Sequence, residues 1–252
     1  MSGPRTNTAW RAGVIAAGLG ERLQPAHGGN GAGGPRLKPL VPVAGRALIE
    51  HVLSSIAEVH PADVVIIVNE ASLAVKDHVS SRPWPFAITW IVETTPSSMH
   101  SFLRVLETLA AGDAQGPFLM STVDTIAPKG AFAEFAAAAA GSRADITLAI
   151  SPPPDDEKPL LVRVSDSGAV TAIGNAAAGS AWATSGYYAV RASVLREADA
   201  ARRDRLTALR AFLERLLVNG YAVNAVPVAA GIDVDRPGDI HAAEAFLRQA
   251  GA

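Results

Sequence analysis

The chain has 252 residues, 49% of them hydrophobic and 18% charged, which is enough apolar material for one α/β domain or at most two small ones. A formal net charge of -2 supplies no basic field, so neither nucleic acid nor an anionic membrane surface is expected as a partner. The absence of cysteine excludes disulfides, thiolate zinc sites and cysteine nucleophiles. Residues 1–11 read as a flexible polar leader without the apolar stretch of a signal peptide. No window has the length of a membrane span, so a cytoplasmic protein is expected.

The first structured segment, Ala12 to Ala17, is a short apolar run whose β-branched pair Val14 and Ile15 predicts a buried strand. Gly18 and Gly20 follow at once, where small residues let backbone N–H groups approach an anionic ligand. Arg22 comes next, and Lys38 arrives in a Lys-Pro-Leu segment after a Gly-rich stretch, residues 27–36. A glycine turn after a strand, followed by two fixed cations, suits a triphosphate: amides receive its oxygens, and Arg22 and Lys38 neutralise charge when phosphorus is attacked. The Gly-rich stretch reads either as a loop closing over the nucleotide or as an insertion without a role.

Two competing motifs fail on residue type. A dinucleotide fingerprint needs a third Gly or Ala where Leu23 stands, and a P-loop needs a glycine directly before its Lys. The segment IAAGLGERL…RLKPLVPVAGRALIEHVL resembles the signature of sugar-nucleotide pyrophosphorylases and MobA-like nucleotidyltransferases, L-A-A-G-x-G-[ST]-R followed by P-K-x-L. It departs at Ile15, Glu21 and Leu37. The resemblance implies a Rossmann-like three-layer α/β/α fold with a mainly parallel mixed central sheet. It also implies nucleotide binding by Ala16, Ala17, Gly18, Leu19 and Gly20, with Arg22 and Lys38 as the catalytic cations.

Helical spacing predicts a helix over Arg46 to Val59, VVIIV at Val64 to Val68 a central strand, Ala71 to Val79 a second helix, and Ile88 to Val92 a third strand. This alternation argues for a doubly wound sheet. Glu93 to Leu109 begins with capping residues and becomes an amphipathic helix. Ser97 and Ser98 open it on the edge where such sheets bind ligands. The resemblance implies that they help recognise the nucleobase; capping by Ser97 is the plainer reading.

Phe118 to Val123 predicts a strand with Asp124 at its C-terminal end, where an acid can hold Mg2+ against phosphates or cap the next segment. The resemblance implies the metal role. Ala131 to Ala140 reads as a helix, Ile146 to Ile150 as a strand, and Leu160 to Val164 and Val170 to Ile173 as strands around a Ser165–Gly168 turn. Asp155, Asp156 and Glu157 read as a solvated loop.

Ala183 to Val190 resembles the N-x-G-x-Y strand that contacts the acceptor in sugar nucleotidyltransferases, which implies acceptor contacts for Ser185 and Gly186. Arg203 to Val218 predicts one amphipathic helix, and Ala222 to Val228 a strand. The ending GIDVDRPGDI resembles the D-V-D-T-P-x-D-[IL] phrase of MobA-like enzymes, with Arg236 for the usual Thr. It implies Asp233 as the second metal ligand, while Asp235 fits the N-cap of a helix opened by Pro237.

Residues 12–252 are thus expected to form one domain, with 12–125 the nucleotide-binding half and 126–252 the acceptor half. The implied reaction joins an NTP to a sugar-1-phosphate or an alcohol phosphate with Mg2+, in a chain that could form homo-oligomers. Molybdenum-cofactor guanylyl or cytidylyl transfer and a non-catalytic nucleotide sensor are the alternatives.

Overall fold

The computed structural model describes residues 10–18, 37–112, 114–154 and 159–250, the last residue by its backbone only. The leader through residue 9, Leu19, Gly20, Arg22, the Gly-rich stretch and the acidic residues 155–157 lie outside the described residues.

Seven strands form the central sheet. In chain order they are β1 (Arg11–Ile15), β4 (Asp63–Val68), β5 (Ala87–Val92), β6 (Phe118–Thr122), β8 (Ile146–Ser151), β11 (Ala183–Val190) and β12 (Val223–Pro227). Three two-stranded ribbons account for the remaining numbers: β2 (Pro42–Val43) with β3 (Arg46–Ala47), β7 (Thr125–Ile126) with β13 (Ile232–Asp233), and β9 (Val162–Val164) with β10 (Val170–Ile173). The helices are α1 (Leu48–Ala57), α2 (Leu73–Ser80), α3 (Ser98–Leu109), α4 (Ala131–Ala140), α5 (Ala198–Arg203), α6 (Leu209–Val218) and α7 (Pro237–Ala250).

The sheet order is β12-β8-β11-β6-β1-β4-β5. Every neighbouring pair is parallel except those of β11, which runs antiparallel to both β6 and β8. The mainly parallel mixed sheet expected from the resemblance is therefore present.

Strand periodicity divides the core between the two faces of the sheet. Val64, Ile66 and Val68 of β4 join Phe132 and Phe135 of α4 and Ile49, Val52 and Leu53 of α1 in one cluster. Val65 and Ile67 face the other way, with Phe102 and Leu106 of α3 and Phe212 and Leu216 of α6. Each fully buried side chain of this kind contributes about 1.5–3 kcal/mol, so strands apolar on both faces are held from both sides.

A third, small cluster matters for the site. Val41 and Val43 beside the Lys-Pro-Leu segment pack with Leu48, Ile126, Val234 and Ala243, and so join α7 and the β7–β13 ribbon to the start of α1.

Two predicted elements are revised. The helix expected over Arg203 to Val218 starts only at Leu209; Arg203 is the last residue of α5, and Arg205, with a left-handed φ of 56°, lies in the connection between the two. The helix expected from Arg46 starts at Leu48, since Arg46 and Ala47 pair with Val43 and Pro42. The hairpin around Ser165–Gly168 forms as expected, with Gly168 N–H donating to Ser165 O at 2.9 Å.

Candidate active site

Parallel strands place their C-terminal ends on one edge of the sheet, where loops carry ligand-binding groups. Strand β1 ends there. Ala16 is buried and its N–H donates to Ile67 O at 3.0 Å, so that amide is engaged within the sheet. Ala17 is half-buried and Gly18 exposed; the space around the Gly18 α-carbon is open.

Asn69, at the end of β4, anchors this exit. It is 3% exposed, and its Nδ2 donates to Ala17 O at 3.0 Å, while its Oδ1 is buried without a partner. Sequence reasoning did not select Asn69; its one signal is an amide directly after an apolar strand.

Lys38 reaches the same edge from a 3-10 turn over Lys38–Leu40, closed by Val41 N–H to Lys38 O at 3.1 Å. Its ammonium is nearly enclosed. It donates to Asp124 Oδ2 at 2.7 Å and also to Asp235 Oδ1. Burial alone would lower the Lys38 pKa, but the charges and hydrogen bonds of Asp124 and then Asp235 outweigh it and leave it above its ordinary value. For Asp124, burial acts upward, yet Lys38 prevails and the carboxyl lies below its usual range.

Asp124 sits between β6 and β7. Antiparallel pairing of β7 with β13 sets Thr125 opposite Asp233, and Thr125 Oγ1 donates to Asp233 Oδ1 at 2.8 Å. Enclosure of the carboxyl and the nearby charge of Asp124 push Asp233 up to about 7, although the residue keeps an exposed edge on the cleft. Val234 between the two acids is fully buried, so Asp233 and Asp235 emerge on one side of an extended segment.

Asp235 is not the helix N-cap. Helix α7 begins at Pro237, and Asp239 in its first turn reaches back, its Oδ2 accepting the N–H groups of Asp235 and Arg236 at 2.9 and 2.7 Å. That leaves the Asp235 carboxylate to Lys38, 197 residues away in sequence. The D-V-D alternation was the available signal for it.

The predicted serines divide. Ser97 caps α3: its Oγ accepts the His100 N–H and pairs with His100 Nδ1 at 2.8 Å. Ser98 Oγ accepts the Leu209 N–H at 3.1 Å and ties α3 to α6. Ser185 is buried, and its Oγ donates to Ser151 Oγ at 3.0 Å.

Gly186 interrupts the pairing of β11 with β8 in a left-handed conformation, φ 77°. A Cβ there would lie 2.2 Å from Thr125 Oγ1, so only glycine lets β11 approach β7 this closely. Ser151, Thr184, Ser185 and Asp233 then border a cavity of about 520 Å3 walled by Pro152 to Pro154, Ile232 and the start of α7. Arg236 and Asp239 lie at its rim.

Among the described residues no three acidic or imidazole side chains converge on one metal-sized point. Mg2+ does not require that, since one or two carboxylates plus substrate phosphates commonly hold it. Asp124 and Asp235 already share one cation, the Lys38 ammonium, so this donor set accepts positive charge.

A family profile, the MobA-like NTP transferase domain, matches residues 12–219. The chain belongs to that family. Its fold agrees with solved structures of similar size. The inositol-1-phosphate CTP transferase from T. maritima superposes with a TM-score of 0.74 at 18% identity, covering 92% of this chain and 91% of that one. A putative glucose-1-phosphate thymidylyltransferase from Bacillus anthracis gives 0.76 at 16% identity, covering 94% and 95%.

Among curated relatives, a bifunctional protein GlmU from Thermobifida fusca (strain YX) is 32% identical over 120 residues, 47% of this chain and 23% of that protein. A CMP-5'-(3-aminopropyl)phosphonate synthase from Streptomyces rubellomurinus is 35% identical over 96 residues, 38% of this chain and 14% of that protein. The chain thus spans less than a quarter of the length of these relatives in the matched regions. No helix among the described residues is long and apolar enough to cross a membrane.

Proposed function

We infer that this MobA-like family member transfers a nucleoside monophosphate from an NTP to a phosphorylated small molecule and releases pyrophosphate. The observation that carries the reading is the meeting of Lys38, Asp124, Asp233 and Asp235 at the C-terminal edge of the sheet, beside the cavity that Asp233 lines. Its acceptor is a sugar-1-phosphate or a polyol or alcohol phosphate. The names of its structural neighbours, an inositol-1-phosphate CTP transferase and a glucose-1-phosphate thymidylyltransferase, support that class.

An acceptor phosphate oxygen attacks the α-phosphorus in line, forming the new P–O bond while the bond to the bridging oxygen breaks and pyrophosphate departs. No protein nucleophile is needed, so the protein's part is positioning and charge neutralisation. Residues 12–125 bind the nucleotide and residues 126–252 the acceptor. Residues 16–20 are assigned to the nucleotide phosphates, and Lys38 and Arg22 to the charge that develops on them.

Asp124 and Asp233 are assigned to hold Mg2+, with Asp235 beside them and in reach of the same charge. A divalent cation held by these carboxylates would supply charge neutralisation and Lewis-acid polarisation at the phosphates. Ser185 and Gly186 shape the acceptor wall, Ser185 through its hydroxyl and Gly186 by admitting β11.

The test is pyrophosphate release with Mg2+, crossing the four NTPs with sugar-1-phosphates and alcohol phosphates, and with Asp124→Asn beside it. Release with one pair, lowered about 100-fold or more in the variant, supports the reading. Release unaffected by Asp124→Asn overturns the metal assignment, and absence of both NTP binding and release overturns the function.

A further inference from the structure

The Lys38 ammonium lies between Asp124 and Asp235, nearly enclosed, and takes the carboxylate that the proposed function gives to a divalent cation. The ammonium holds Asp124 Oδ2 at 2.7 Å, so a divalent cation on the other oxygen of the same carboxylate would stand within a few ångströms of a fixed positive charge and be repelled by it. The same lysine is also the group that must meet the phosphates. Its three donors are directed by whichever anions surround it.

We propose that Lys38 is the resting counter-ion of the Asp124–Asp235 pair, excluding a divalent cation until nucleotide phosphates draw the ammonium away. This rests on Asp124 being a cation ligand. Cation and nucleotide then bind cooperatively, because each removes an obstacle to the other. The phosphates take the lysine from Asp124, and a cation on Asp124 releases the lysine to the phosphates.

Asp235 is a positioning residue in this scheme. When Lys38 leaves Asp124, Asp235 keeps the ammonium within reach, on a segment fixed by Asp239 and by buried Val234. The ammonium balances the negative charge that Asp124 and Asp235 bring together.

The unusual consequence is that removing a cationic residue, Lys38, strengthens cation binding. Mn2+ alone, titrated without nucleotide and followed by the electron paramagnetic resonance of the free ion, reads this directly. Lys38→Met is expected to bind Mn2+ at least about fivefold more tightly than the wild-type protein, and Asp124→Asn far more weakly. A nucleotide analogue with a non-cleavable α–β linkage is expected to tighten Mn2+ binding more in the wild type than in Lys38→Met.

If Lys38→Met binds Mn2+ no more tightly than wild type while Asp124→Asn loses it, the counter-ion role is overturned and the proposed function stands. If Asp124→Asn binds Mn2+ unchanged, both assignments fall. Lys38→Gln, checked for a cooperative thermal transition, serves if the Met variant does not fold.

Discussion

Thr125 and Asp233 face each other across the β7–β13 ribbon, and the hydroxyl of one donates to the carboxylate of the other at 2.8 Å. The hydrogen bond works against two upward influences on Asp233, enclosure and the charge of Asp124, which together leave its carboxyl at about 7. Asp233 therefore changes charge within the range in which enzymes are ordinarily assayed.

The first expectation concerns cation binding. If Asp233 is a ligand it must be ionised, so Mn2+ affinity should rise between pH 6 and pH 8. Thr125→Val keeps the shape of a buried side chain but removes the hydroxyl that holds the pKa down. The rise should then move to higher pH. An identical profile in the variant would show that the hydroxyl does not tune Asp233.

The second concerns stability, and its sign is opposite to the usual carboxylate case. The folded-state pKa of Asp233 lies above the unfolded value, so the folded protein binds the proton more tightly. That contribution is full below about pH 4 and is lost as pH rises through about 7. Asp233→Asn should accordingly raise Tm at pH 8 and change it little near pH 4. Because the residue is exposed on one side, solvent screening limits the gain to about 1 kcal/mol, or roughly 2–4 °C. Thermal melts at the two pH values decide it.

Gly186→Ala should destabilise by at least about 1–3 kcal/mol from the left-handed backbone alone. A further loss comes from the collision with Thr125 Oγ1. Adding Thr125→Ala removes that atom, so the double variant should recover part of the loss and leave the backbone penalty. Strictly additive chemical melts would refute the collision.

Glu50 offers a test away from the cleft. It is 1% exposed; its Oε1 is hydrogen-bonded to His78 Nε2 at 2.7 Å and ion-paired with Arg82 Nη1 at 2.8 Å, and its Oε2 lies 3.7 Å from Arg46 Nε. Replacing Arg82 alone by Ala should cost about 0.5–1 kcal/mol, since the histidine remains. Replacing both should cost more than the sum, towards about 3 kcal/mol, because the buried carboxylate then keeps only Arg46 Nε at 3.7 Å. A double-mutant cycle with no coupling would contradict this.

Much of the architecture was legible in local pattern. The apolar runs at Val64 to Val68 and Phe118 to Val123 carry their own length and β-branching, and the amphipathic spacing of α3 is plain. The direction of β11 was not legible, because ATSGYYAV has buried side chains on both faces whichever way it runs. The connection between α5 and α6 includes a left-handed angle at Arg205, a residue type that normally continues a helix.

In the site, Lys38 and Asp124 stood out as a cation and an acid at strand-edge positions. Asp235 did not, because a local rule, helix capping, explained it well enough. Only the long-range fold shows Asp239 serving the helix start and Asp235 turned to Lys38. Asn69 and Thr125 were missed for a similar reason, since their partners are set by sheet register.

The reversed direction of β11 has one more effect. Ser151 and the three prolines come from the trailing end of β8, whereas Thr184 and Ser185 come from the leading end of β11. The cavity is therefore built where one segment leaves the sheet and another enters it, apart from the Lys38 turn and the end of β1. Under the proposed function, substitutions at the prolines or at Ser185 reshape the acceptor wall and leave Lys38, Asp124 and Asp235 in place.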